Sequence, residues 1–225
     1  MARPTPRSFT AAVALAAGLL TSLPAPILRA GGPPPSLDAP DLARGPYALM
    51  HMLLQKTVLK VNVATVDIRF DRPTQGRLAD LVRDRPYSYP LDAQIASAAI
   101  GAARAVVQMQ FVRDVPLNRW IGVVRDNLEL AREAGLIPAD IERRVSEAIP
   151  QWFAPLRERG YQKGDKLVYS VTPDTLRTAV ISAGGQTLLD LDEHEAGARR
   201  VVLASYFAPK SDTRELLIRS LWEQR

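Results

Sequence analysis

Two residues on one helical stripe carry the first chemical signal in this chain. In VPLNRWIGVVRDN, Val115 to Asn127, the residues Leu117, Trp120, Ile121, Val124, Leu128 and Ala131 recur at helical spacing. Asn127 falls on that same stripe, seven residues after Trp120. A buried amide left without partners costs about 1–3 kcal/mol. It must therefore bond to backbone, to water or to a ligand. Two turns separate the pair, roughly 10 Å along the axis. An aromatic wall beside a polar anchor suits a small-molecule cleft. The competing reading makes Trp120 core and has Asn127 bond a neighbouring strand edge.

Other chemistry is sparse. There is no cysteine, which excludes thiol catalysis, disulfides and cysteine metal sites. No glycine-rich phosphate loop exists, and no Ser–His–Asp set can be ordered along the chain. The segment DLDEHEAG, 190–197, gathers four acids around His194, but it lacks ligand spacing on one rigid element. It reads as a solvated strand-to-helix connection, with acids favoured near a helix start. His51, in LMHML, reads as a partly buried, packed histidine. Asp80, Asp84, Asp114, Asp126 and Asp165 sit among basic residues and read as surface pairs. No cofactor is implied.

The chain has 225 residues and a formal charge of +5. Residues 1–30 hold three of its 29 basic residues, Arg3, Arg7 and Arg29, and no acid; the remainder carries a net +2. Nothing in that balance predicts nucleic-acid binding. The start itself has the layout of a secretory signal: basic MARPTPR, apolar SFTAAVALAAGLLTSL, then Pro24 and Pro26 among small residues. Cleavage is expected near Ala25 or Ala30. The apolar run is too short for a comfortable transmembrane helix, so no stable span is expected after removal. A periplasmic location follows as an expectation. Residues 31–45, rich in Pro and Gly, read as a linker, and a domain is expected over residues 46–225.

The elements that must position Trp120 and Asn127 follow from periodicity. Residues 56–70, KTVLKVNVATVDIRF, read as one long strand with Asn62, Ala64, Val66 and Ile68 on one face. Helices are expected at 74–84 and 91–105, and a strand at 106–113. The helix bearing the pair should run to Ala134, stopped by Gly135. Pro138 opens the next helix, which Pro150 and Pro155 should kink or split. KLVYSV (166–171), TLRTAVIS (175–182) and QTLLDLD (186–192) form a meander of strands, turned at AGG, 183–185. Two closing helices are expected around 195–207 and 212–223, the second capped by Asp212. Hairpin-linked strands with separate helices predict an α+β fold, helices packed on one face of an antiparallel sheet.

In order and spacing, four segments resemble the chalcone isomerase superfamily, particularly its bacterial chalcone isomerase-like members. They are KTVLKVNVATVDIRF, QFVRDVPLNRWIGVVRDNLELA, RGYQKGDKLVYSV and SYFAPKSDTRELLIRSLW, within residues 46–224. The resemblance implies an open-faced β-sandwich, a large antiparallel sheet covered by a layer of helices with a ligand cleft between. Family spacing puts Trp120 at the position of an active-site tyrosine and Asn127 at that of a ligand-contacting asparagine. Asn62 falls at a strand threonine, Ser205 near a late threonine, and Leu54 at an arginine, with Lys56 or Lys60 as nearby cations. An indole has no acidic hydroxyl, and lysine lacks the planar fork of arginine. The resemblance therefore implies binding of a small apolar or amphipathic molecule, phenolic or fatty-acid-like, without turnover. The alternative is an isomerase closing a ring by addition to an enone, stabilised by preorganised polar groups. A third possibility is an interaction protein that uses only the surface of the fold.

Overall fold

The structure, a computed structural model, describes residues 27–28, 32–56, 61–194 and 197–224. Residues 1–26, which hold most of the expected signal, and Lys60 lie outside them. Seven strands among the described residues form one antiparallel sheet, in the order β1-β7-β6-β5-β4-β3-β2. They are β1 (Ile27–Leu28), β2 (Leu49–Lys56), β3 (Val61–Phe70), β4 (Ala105–Phe111), β5 (Lys166–Val171), β6 (Leu176–Ile181) and β7 (Thr187–Glu193). Six α-helices among the described residues accompany them: α1 (Arg72–Val82), α2 (Tyr89–Ile100), α3 (Leu117–Glu133), α4 (Ala139–Trp152), α5 (Ala198–Phe207) and α6 (Arg214–Arg219). Apolar residues of the strands and helices share one large core cluster, so the helices cover one sheet face.

The first hairpin departs from expectation. The strand anticipated over residues 56–70 is β3 alone, and Lys56 ends a preceding strand, β2. LMHMLLQK is a nearly continuous apolar run, a pattern that periodicity cannot assign to strand or helix. A register shift lies between Leu54 and Gln55, and beyond it Gln55 pairs with Asn62 and Lys56 with Val61. His51 also differs: it is exposed on the other face, with Nδ1 2.6 Å from Asp67 Oδ1.

Helix ends follow their local chemistry. Asp71 accepts from the Thr74 amide at 2.8 Å and the Arg104 amide at 2.8 Å, capping α1 and tying it to β4. Gly101 ends α2 earlier than the expected Ala105, which opens β4. In α4, Pro150 lies inside the last turn and the split falls after Trp152, where Ala154–Leu156 forms a 3₁₀ turn. Proline has no amide for the carbonyl four residues earlier. That carbonyl, on Ser146, instead accepts from Arg125 of α3 at 3.2 Å (Nε) and 2.8 Å (Nη2). Asp212 is not the cap of α6; Thr213 occupies that position and makes no side-chain cap bond.

Residues 32–45, expected as a linker, lie against the opposite sheet face. Leu42 is buried with Val106 and Val168, and Leu37 and Ala39 pack beside them. The Ala43 amide donates to the Phe70 carbonyl at 2.8 Å. Arg177 donates to the Pro33 carbonyl at 3.0 Å and grips Asp190 through Nε (2.8 Å) and Nη2 (2.7 Å). Asp165 was expected at the surface and is instead 1% exposed. It accepts from Arg159, from the Gln162 amide at 2.8 Å and from the Ala183 amide at 3.2 Å. The described acids of DLDEHEAG, Asp190, Asp192 and Glu193, belong to a strand rather than to a solvated connection. Residues 187–193 are strand β7, with Asp190 and Glu193 buried, and His194 just beyond it is exposed.

Candidate functional site

The start of α3 is held by a backbone clasp. Val115 and Tyr161 exchange amide-to-carbonyl bonds of 2.8 and 2.9 Å. Gly160, at φ +62°, makes this approach possible: a Cβ there would lie 2.6 Å from the Val115 carbonyl oxygen. The clasp sets Tyr161 over Phe111, stacked with centroids 4.1 Å apart. Trp120 then meets Tyr161 edge-on at 5.4 Å and Phe153 at 4.6 Å. This aromatic group is built from β4, α3, the end of α4 and the segment before β5.

Beside it lies a cleft of about 570 Å³ between the sheet and helices α3, α4 and α5. That volume falls in the range of small-molecule sites. Met109 and Phe111 come from the sheet, Trp120 and Leu128 from α3, and Ile149 and Phe153 from the α4 side. The basic residues lining it, Arg113, Arg119 and Lys210, are all exposed, placing them at the rim.

Three of the sequence-derived residues converge here: Trp120, Asn127 and Ser205 all line the cleft. Leu54 lines it as well, where family spacing implied an arginine. Asn62 does not. It is exposed and its Oδ1 accepts from Gln55 Nε2 at 3.0 Å, because the register shift pairs it with Gln55, which itself reaches the cleft. Lys56 ends β2; its side chain lies outside what is described.

Asn127 sits at the end of a hydroxyl chain. Ser211 Oγ is 3.5 Å from Asn127 Oδ1, and 2.7 Å from Thr213 Oγ1. Thr213 donates to the Tyr206 carbonyl at 2.6 Å. Each hydroxyl has one proton. Thr213 gives its own to Tyr206, so Ser211 gives its own to Thr213. None remains for Asn127. Because amide orientation is assigned from the hydrogen-bond network, the consistent arrangement turns the Asn127 NH₂ toward Ser211 and leaves its carbonyl oxygen as an acceptor for the cleft. Ser205 donates to the Val202 carbonyl at 2.7 Å, so its proton is spent within α5 while its lone pairs remain.

Sequence reasoning missed Tyr169, Thr178, Glu193 and Tyr206, which also line the cleft. Tyr169 and Thr178 are direct cross-strand partners. Alternation in KLVYSV places Tyr169 with Leu167 and Val171, so its inward direction was readable; its company was not. Burial pushes the phenol of Tyr169 well above its ordinary range, with Tyr206 adding to the shift. Burial raises Tyr206 likewise. Tyr161 is also raised well above, first by burial and then by Tyr169, Tyr206 and Asp165. These phenols are therefore neutral donors at ordinary pH rather than bases. Among the described residues, no group of three or more His, Asp or Glu is arranged to hold a metal ion.

No family model matches the chain, and no curated protein matches it by sequence. Among solved structures, a fatty-acid binding protein of Arabidopsis thaliana is similar, with a TM-score of 0.52 at 11% identity. The match covers 88% of this chain and 98% of that one. The likeness is one of fold, and it agrees with the sheet and helices described above: this chain has the α+β, chalcone isomerase-like architecture, an open antiparallel sheet with helices packed on it.

Proposed function

We propose that this protein binds a small, largely apolar or amphipathic molecule, phenolic or fatty-acid-like, in the cleft beside Trp120, without turnover. The observation that carries this reading is the cleft of about 570 Å³, walled by aromatic and aliphatic side chains and dotted with a few hydroxyls and two amides, Gln55 and Asn127. The similar fold of a fatty-acid binding protein supports it. Against turnover stand Trp120 in place of a phenol, and basic groups confined to the rim. Native mass spectrometry of protein purified from its own host tests the reading. Co-purified or added lipid or phenolic mass is the expected result; a protein that takes up neither overturns it.

One observation favours the isomerase reading: the phenols of Tyr169 and Tyr206 face the cleft as neutral donors, and such donors stabilise a developing enolate. Loss of absorbance from a panel of hydroxychalcones, clearly faster than spontaneous cyclisation and abolished by Asn127→Ala, would establish it.

Export to a periplasm remains part of the proposal, resting on the N-terminal pattern. Ile27 and Leu28 pair with Asp192 and Leu191, which favours processing at Ala25 over Ala30, since the later cut removes β1. No helix among the described residues is long and apolar enough to cross a membrane.

A further inference from the structure

The floor of the cleft gathers hydroxyl groups whose protons are unspent. Tyr169 and Thr178 stand side by side on β5 and β6, and Tyr206 reaches in from α5. Among the described residues none of these three hydroxyls has a hydrogen-bond partner. The Tyr161 hydroxyl, in contrast, is fully buried and without a partner. That burial costs the Tyr161 hydroxyl about 1–3 kcal/mol, whereas the three hydroxyl residues that line the cleft remain accessible to whatever fills it. Their distribution along the sequence makes this more than a local accident. The four residues come from four separate segments, so only the assembled fold sets Tyr169 beside Thr178 and brings the phenols of Tyr161, Tyr169 and Tyr206 within electrostatic reach of one another.

An acceptor is what such a cluster lacks. The charge distribution says which kind. The basic lining residues, Arg113, Arg119 and Lys210, are exposed, and the ionisable group buried on the cleft wall is an acid, Glu193 of β7. An ionised head group brought to the floor would be desolvated there, with no cation from the described lining residues, whose basic groups are all exposed, to meet it. An uncharged oxygen acceptor incurs far less desolvation and takes the hydroxyl protons directly.

We infer that Tyr169, Thr178 and Tyr206 form a head-group subsite for an uncharged carbonyl or ester oxygen, so that the preferred ligand is a neutral apolar molecule that enters oxygen first. This rests on the cleft-binding reading and narrows its ligand class. Tyr169 and Tyr206 act as donors to the ligand oxygen. The apolar remainder lies along Met109, Trp120 and Phe153.

The test compares three probes of equal chain length, methyl laurate, lauric acid and dodecane. Each is titrated into the full chain at neutral pH by tryptophan fluorescence and checked by calorimetry. The ester is expected to bind about tenfold more tightly than the hydrocarbon, the increment of one to two good hydrogen bonds, and more tightly than the acid. The double variant Tyr169→Phe/Tyr206→Phe keeps both rings. It should erase the ester preference and leave hydrocarbon binding unchanged. An acid that binds as well as the ester, and loses affinity on Arg119→Ala rather than in the double phenylalanine variant, places the head at the rim and overturns this inference alone. Failure of all three probes to bind overturns the cleft-binding reading together with it. A folded double variant that keeps the full ester preference also overturns the subsite.

Discussion

The guanidinium of Arg125 occupies the place that the missing amide of Pro150 leaves open, taking the Ser146 carbonyl through two nitrogens. A helix-breaking residue in α4 thus becomes a tie to α3, the helix that carries Trp120 and Asn127. Arg125→Ala should cost about 1 kcal/mol, a modest figure because water reaches the freed carbonyl. Urea denaturation with an unchanged slope measures it. Pro150→Ala in the same background should recover part of the loss, since the restored amide satisfies Ser146 from within the helix.

Asn127→Leu separates structure from binding. The amide touches only Ser211 among the described residues, at 3.5 Å, so folding stability should move by less than about 1 kcal/mol. Affinity for an apolar ligand bearing a donor should fall roughly five- to tenfold, the value of one hydrogen bond. Thermal unfolding and a binding titration on the same sample read both quantities. Unchanged affinity would return Asn127 to a purely structural role.

Gly160→Ala attacks the clasp that sets Trp120. The left-handed backbone alone penalises an L-residue by roughly 1–2 kcal/mol, and the new Cβ meets the Val115 carbonyl at 2.6 Å. A loss of about 2–3 kcal/mol in chemical denaturation is expected, together with weaker ligand uptake as Val115 and the start of α3 move. Gly185→Ala offers a control at positive φ with open space around it; it should lose only the backbone part.

Asp165 should rank among the costly positions. Its carboxylate is buried and receives Arg159 and two backbone amides. Asp165→Ala leaves the Arg159 guanidinium, itself mostly shielded, without its partner. The expected loss is about 3–5 kcal/mol, visible as a large drop in melting temperature. Asp165→Asn keeps the shape and should lose less.

Alkaline pH should unfold the protein through its cleft. Tyr161, Tyr169 and Tyr206 hold their protons above the ordinary phenol value of 10.0 in the folded state. The unfolded chain releases those protons first. Stability is therefore fully present below about pH 10 and declines as pH rises beyond it. Tyrosinate absorbance should appear together with loss of circular dichroism rather than before it, and Tyr169→Phe should blunt the decline.

Much of this protein was legible along the chain, because periodicity reports which side of an element is apolar. The stripe of α3, the meander β5–β7, the Gly135 stop and the α+β class all follow from local patterns. Asn127 showed itself as a polar residue on an apolar stripe, and Trp120 as its neighbour two turns away. Both line the cleft. Where the pattern was ambiguous the reading failed: LMHMLLQK has no alternation, so β2 and the true place of Lys56 were lost, and His51 with them.

Only the tertiary structure decided what surrounds the site. Asn62 and Leu54 exchanged expectations because one register shift turned one toward Gln55 and left the other lining the cleft. Tyr169, Thr178 and Tyr206 look ordinary in their own segments, and they become a cluster through strand pairing and the docking of α5. Asp165 and Glu193 read as surface acids until the fold buried them. The physical reason is the range of the information. An amphipathic pattern records that a residue faces inward, over a few residues of chain. Which inward-facing groups meet depends on strand order, register and helix docking, and no local stretch of sequence encodes those by itself.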